Sequence, residues 1–177
     1  MSPQKPFLDY VYLFTLALQL IAIVGIDAVP FYPQSLLQPR GSPFHFILAF
    51  RRWYITTFSD PYYDVDIPGH FFEFLVYVEV VVQFPLAIYL TRALLSEQRM
   101  SGSAELAGVV YGAVTALCTA VACNDMWYLG PEVITRDAKQ TLLGLYLPYA
   151  VIPALMVFDM QKRLLARLDR SSGMKQE

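Results

Sequence analysis

The sequence predicts an all-α membrane protein, a bundle of four transmembrane helices with an interfacial helical loop between the first and the second. Three observations predict it. Of 177 residues, 56% are hydrophobic, 15% aromatic and only 16% charged, with a mean hydropathy of +0.42, too apolar for a soluble domain of this size. The apolar residues gather into four runs of roughly 20, the length that crosses a bilayer core at ~1.5 Å per residue. The polar residues inside those runs are few, chiefly acids, amides and tyrosines. The chain reads as one domain over 1–177, with helices over 8–29, 71–93, 104–126 and 141–163 and a flexible cytosolic tail over 166–177.

The first apolar run, residues 8–26, is preceded by Lys5 and followed by Pro30 and Pro33, which stop a helix. It is long for a signal-peptide core, is interrupted by Gln19, and has Asp27 where small cleavage-site residues belong, so it reads as a membrane helix. Gln19 falls roughly 80° round a regular helix from Asp27. Residues 31–70 are rich in proline, but FHFILAFRRWYITTF in their middle reads as an amphipathic helix at the interface. Trp53, Tyr54, Tyr62 and Tyr63 suit the headgroup level. Asp60, before Pro61, either terminates a turn or holds the loop over a pocket mouth.

The second helix carries the most demanding residue. Glu79 lies about 12 Å along FFEFLVYVEVVVQFPLAIYL, where an ionised carboxylate costs at least ~2.5 kcal/mol. Such an acid must face protein, be paired or be protonated, and it marks a functional site. Gln83 follows one turn later on the same face, and Pro85 withdraws an N–H from the helix ladder. Because the chain turns between the first two helices, Asp27 and Glu79 belong to the same half of the membrane.

On the third helix Ala104, Gly108, Gly112, Ala116 and Ala120 form a small-residue ridge, fit for close packing inside the bundle or against a second copy of the chain. Cys118 and Cys123, five apart in one helix, are poorly placed to pair with each other and read as buried thiols. The fourth helix holds Pro148 and Pro153, with Tyr146 and Tyr149 on one side; their phenols need a polar partner, and a carboxylate across the bundle would serve.

Lys and Arg number eight on the side of the termini and five on the other, which puts both termini in the cytosol. A net charge of −2 without a basic patch excludes nucleic acid as a partner. His45 and His70 lack ligand-spaced partners, so neither a metal nor another cofactor is expected. Four spans without an internal repeat do not make an inverted-repeat transporter. What remains is a polar focus of Asp27, Glu79 and Gln83, with Tyr146 and Tyr149 as neighbours. Two carboxyls in low dielectric share a proton more cheaply than they both ionise. They either bind a cation or hydroxyl or act as general acid and base, and the apolar surroundings call for a hydrophobic ligand with one polar group.

Four segments carry a resemblance: VGIDAVPFYP after the first helix, RRWYITTFSDP in the loop, YVEVVVQFPLAIYL in the second helix and LYLPYAVIPALMVFD in the fourth. Over about residues 8–163 the chain resembles the EXPERA family, four-helix membrane proteins that include the sigma-2 receptor and, more distantly, the emopamil-binding sterol isomerases. The resemblance implies a pocket for sterols and lipophilic amines, a place in the endoplasmic reticulum membrane, a role in cholesterol homeostasis and a sterol-transport protein as partner. It implies that Asp27 pairs with a ligand amine, that Glu79 orients it, that Asp60 supports the pocket, and that Gln19, Gln83, Thr115, Tyr146 and Tyr149 line it. The isomerases use a first-helix histidine and glutamate with a second glutamate where Glu79 stands. Here Gln19 cannot transfer a proton and no expected span holds a histidine, so the expected function is non-catalytic binding. A sterol Δ8-Δ7 isomerase, or a membrane chaperone or trafficking adaptor without a small-molecule ligand, are the alternatives.

Overall fold

A computed structural model describes residues 5–38, 41–63, 70–96 and 99–173. It is all-helical there, and four of its helices are long and apolar enough to cross a membrane. Helix α1 spans Phe7–Asp27, α4 His70–Leu95, α5 Gly102–Tyr128 and α6 Arg136–Gly173, while α2 (Gln34–Leu37) and α3 (His45–Phe58) lie in the connection between α1 and α4.

Two of the spans are not regular. Helix α1 is α-helical over Phe7–Ala22 and π-helical over Ile23–Asp27, where the Ala28 N–H reaches back five residues to the Ile23 carbonyl at 2.8 Å. Helix α4 does the same over Glu79–Gln83, with the Phe84 N–H bonded to the Glu79 carbonyl. A proline follows each segment, Pro30 and Pro85. Proline has no N–H and crowds the carbonyl four residues back; for Pro85 that carbonyl is Val81's, inside the widened turn. Each π segment also carries one of the two unusual acids, Asp27 or Glu79.

Helices α5 and α6 form the most extensive pair. Gly108 and Gly112 make the close approach: a Cβ on Gly108 would meet Met160 at 2.9 Å, and one on Gly112 the Pro153 carbonyl at 2.6 Å. The glycine part of the ridge is thus used inside the bundle, while Ala116 is half-buried and Ala120 exposed. Ser101 caps α5, its hydroxyl accepting the Ala104 N–H at 3.2 Å. A core of Tyr12, Leu16, Leu90, Tyr111, Met156 and Met160 fills the end of the bundle near the termini.

That end is also tied by charge. Arg163 pairs with Asp9 of α1 at 2.7 Å and with Asp159 at 2.6 Å, and Arg167 grips Glu105 of α5 at 2.8 and 3.0 Å. Arg167 lies within the expected flexible tail, but α6 continues as helix through Gly173, well past the expected end at 163. The Glu105 pair and a hydrogen bond from Arg167 to the Met100 carbonyl hold residues 164–167 against α5. Residues 174–177, the rest of that tail, lie outside the described residues, as do Pro39, Arg40 and Pro68 of the long connection.

The connection folds over the other end. Val29, Leu37 and Ile47 bury one side of α3 against the end of α1, while Phe46 and Trp53 stay exposed on the outer side. Ser59 then takes a left-handed conformation (φ 51°), its N–H bonded to the Ile55 carbonyl at 2.9 Å, which ends α3 and turns Asp60 inward.

Candidate ligand-binding site

A cavity of about 260 Å³ lies between the apolar core and the folded connection. Every long helix contributes to it: Gln19, Ala22, Ile26 and Asp27 from α1; Phe72, Leu75, Glu79 and Gln83 from α4; Cys118, Thr119 and Ala122 from α5; Leu145, Tyr146 and Tyr149 from α6. Tyr54 and Phe58 of α3, with Tyr63 just beyond, close its outer end. Both cysteines are free thiols.

The π segments explain why Gln19 and Asp27 meet there. One extra residue in the turn makes eight steps rotate like seven, so the offset drops from about 80° to about 20°. The expected 80° separation is corrected by that turn. Glu79 and Gln83 bound the second π segment, and both line the cavity.

Five polar side chains at and behind the inner wall form one network. Gln19 Nε2 donates to Gln83 Oε1 at 2.8 Å and faces Glu79 Oε1 at 3.4 Å. Thr115 also donates to Gln83 Oε1, at 3.0 Å, and the Tyr111 hydroxyl donates to Gln19 Oε1. Gln19, Gln83 and Thr115 are buried, so these bonds meet needs that would otherwise cost about 1–3 kcal/mol per group. Thr115 supports Gln83 and does not line the cavity.

The outer wall centres on Asp60, which is buried and does not touch the cavity. Its Oδ2 accepts the hydroxyls of Tyr54 and Tyr146, each at 2.9 Å, and its Oδ1 accepts the Tyr62 N–H at 3.1 Å. Asp60 therefore both terminates its turn and fastens the loop to α6. Tyr62 reaches on to Asp125 of α5 at 2.7 Å. Burial raises the Asp60 carboxyl above its ordinary value, against the pull of the two phenols. Burial also raises Tyr54 and Tyr62, each further raised by the acid it faces, so both stay protonated donors.

Asp27 accepts the Tyr63 hydroxyl on Oδ1. Among the described residues no Lys or Arg pairs with Asp27 or Glu79 within 4.0 Å, and no hydrogen bond joins the two carboxyls. His70 opens α4, but its side chain is 98% exposed and faces Glu73. Of the expected site residues, Gln19, Asp27, Glu79, Gln83, Tyr146 and Tyr149 share the cavity, and Asp60 and Thr115 stand behind it. The sequence reading missed Tyr63 and Tyr111 as polar partners. Tyr111 had a signal, four residues before Thr115 on the same helical face; Tyr63 had none, because it arrives through an irregular turn.

Much of the chain that builds this cavity also matches a known domain in sequence. A model of the family described as EXPERA (EXPanded EBP superfamily) matches residues 46–160, from α3 into α6 and more than half of the chain. No curated protein matches the sequence significantly. With four candidate spans and that match, the chain is a multi-pass membrane protein belonging to the EXPERA superfamily.

Proposed function

We propose that this protein is a non-catalytic binder of sterols and lipophilic amines, of the sigma-2-receptor type, serving sterol homeostasis or trafficking in the endoplasmic reticulum membrane. One observation carries the reading: a largely apolar cavity at membrane depth into which Asp27 and Glu79 open with no Lys or Arg paired to either among the described residues. In its ionised form an acid so placed is costly, and a partner from outside the chain would offset that cost. An apolar ligand with a single cationic or hydroxyl group supplies that partner and fills the rest of the cavity, whose volume stands just below the usual range of about 300–1,000 Å³. Isomerase chemistry is less well supported, because the group in contact with Glu79 is the amide of Gln19, which neither gives nor takes a proton at useful rates.

The test is equilibrium binding of a radiolabelled lipophilic tertiary amine to the purified protein in lipid nanodiscs. Asp27→Asn and Glu79→Gln are expected to weaken it by at least about tenfold, the loss of one charge-assisted contact, while the folded state persists. Unchanged affinity in both variants would sink the assignment. A chaperone or adaptor role without a ligand predicts that no such binding is measured at all.

A further inference from the structure

Gln83 uses its carbonyl oxygen twice and its nitrogen not at all. Oε1 accepts an N–H of Gln19 Nε2 at 2.8 Å and the Thr115 hydroxyl at 3.0 Å. Nε2 carries two N–H groups, and neither meets an acceptor among the described residues. The side chain is 3% exposed and lines the cavity, and Nε2 is not among the polar atoms sealed inside the protein without a partner, so its open surface lies in the cavity.

The neighbouring acid fixes which way the amide faces. Gln19 turns its N–H groups toward Glu79 Oε1 and its carbonyl toward the Tyr111 hydroxyl; in the opposite setting two acceptor oxygens would confront each other. With Gln19 so placed, reversing Gln83 would bring two N–H donors together at 2.8 Å. The Gln83 nitrogen is therefore left to the cavity, one turn beyond Glu79 along α4. Tyr149 and Thr119 also line the cavity, but a hydroxyl can donate or accept, whereas an amide nitrogen only donates. A donor kept from water and left unmet is costly.

We propose that Gln83 Nε2 is a second polar subsite of the cavity, one that takes a carbonyl oxygen: the preferred ligand is an apolar amine or alcohol that also carries a ketone, ester or amide. The carbonyl accepts one of the two N–H groups, and the cationic or hydroxyl group stays with the acids. The inference rests on the reading of this cavity as a ligand site and adds a second polar group to its ligand.

The experiment titrates a set of steroidal tertiary amines against the full chain in nanodiscs: a parent without oxygen, and isomers bearing one ketone at different ring carbons. At least one ketone is expected to bind wild-type protein about tenfold more tightly than the parent, one buried hydrogen bond's worth. That advantage should vanish in Gln83→Met, which removes the donor at similar volume. An isotope-labelled carbonyl gives a readout that does not depend on the folding of Gln83→Met: its infrared stretch should lie below the value in hydrocarbon on wild-type protein and equally on Tyr149→Phe. No ketone tighter than the parent, an advantage that survives in Gln83→Met, or a stretch that is unshifted or that loses its shift in Tyr149→Phe overturns the inference. The parent amine separates the two levels. A parent that binds wild-type protein and is weakened by Asp27→Asn, with no ketone advantage, removes the inference alone, whereas no binding of any amine in the set removes the ligand site and the inference with it.

Discussion

Asp60 and Tyr146 stand 86 residues apart and share a hydrogen bond of 2.9 Å. Through it the connection between the first two spans is fastened to the last one, and the same carboxylate oxygen also holds Tyr54 of α3. Asp60→Ala leaves two half-buried phenols and a backbone N–H without their acceptor, for an expected loss of about 2–4 kcal/mol in unfolding free energy. Tyr146→Phe removes one bond of the set and should cost about 1 kcal/mol. Denaturant unfolding in detergent, followed by tyrosine and tryptophan fluorescence, measures both.

The same carboxyl gives stability a pH dependence of definite sign. Its folded value is raised above the ordinary 3.8 by burial, with the Tyr54 and Tyr146 phenols and the Tyr62 N–H acting the other way. Between the two values the folded chain binds more protons at Asp60 than the unfolded chain does. The contribution is therefore fully present below about pH 3.8 and lost as pH rises through the raised value. Melting curves from about pH 4 to pH 7 should show wild-type protein losing stability relative to Asp60→Asn, whose amide does not titrate. A constant gap between them refutes the assignment.

Gly108 and Gly112 both face α6, yet their alanine variants should differ. A Cβ at Gly112 meets backbone, the Pro153 carbonyl at 2.6 Å, whereas one at Gly108 meets the flexible Met160 side chain at 2.9 Å. Gly112→Ala is expected to cost about 1–3 kcal/mol by overpacking, and Gly108→Ala less. Equal melting temperatures for the two variants would contradict the close helix approach.

In the inner network Gln83 is the shared acceptor. Gln83→Leu leaves the Gln19 amide and the Thr115 hydroxyl without it, for an expected cost of about 2–3 kcal/mol, while Thr115→Val removes one donor at about 1 kcal/mol. A double variant no less stable than Gln83→Leu would show that the two act through the same bond.

The four spans are legible in the sequence because a bilayer permits few polar residues, so length and apolarity alone mark them. Glu79 and Asp27 are legible for the same reason, since each violates the pattern it sits in. Tyr146 was expected to meet a carboxylate across the bundle and does, though it is Asp60 of the loop. What stayed hidden depended on geometry that composition does not encode. The charged contacts at the other end, Asp9 with Arg163 and Glu105 with Arg167, join residues whose sequence positions only mark helix ends. The extension of α6 through Gly173 follows from one of those pairs and not from apolarity. Tyr63 reaches Asp27 because Ser59 turns left-handed, and serine gives little warning of that.

The two widened turns make the cavity sensitive to chain length as well as to residue identity. Letting residues 23–27 close into a regular ladder with none of them removed is a change that helix propensity alone would score as harmless or favourable. It would also throw Gln19 and the residues before it about 100° out of phase with Asp27, parting the inner network from the acid while every named side chain remained in the protein. Homologous sequences that keep this geometry should therefore carry either the widened turn or one residue fewer in a regular one, since both leave about 20° between the amide and the acid.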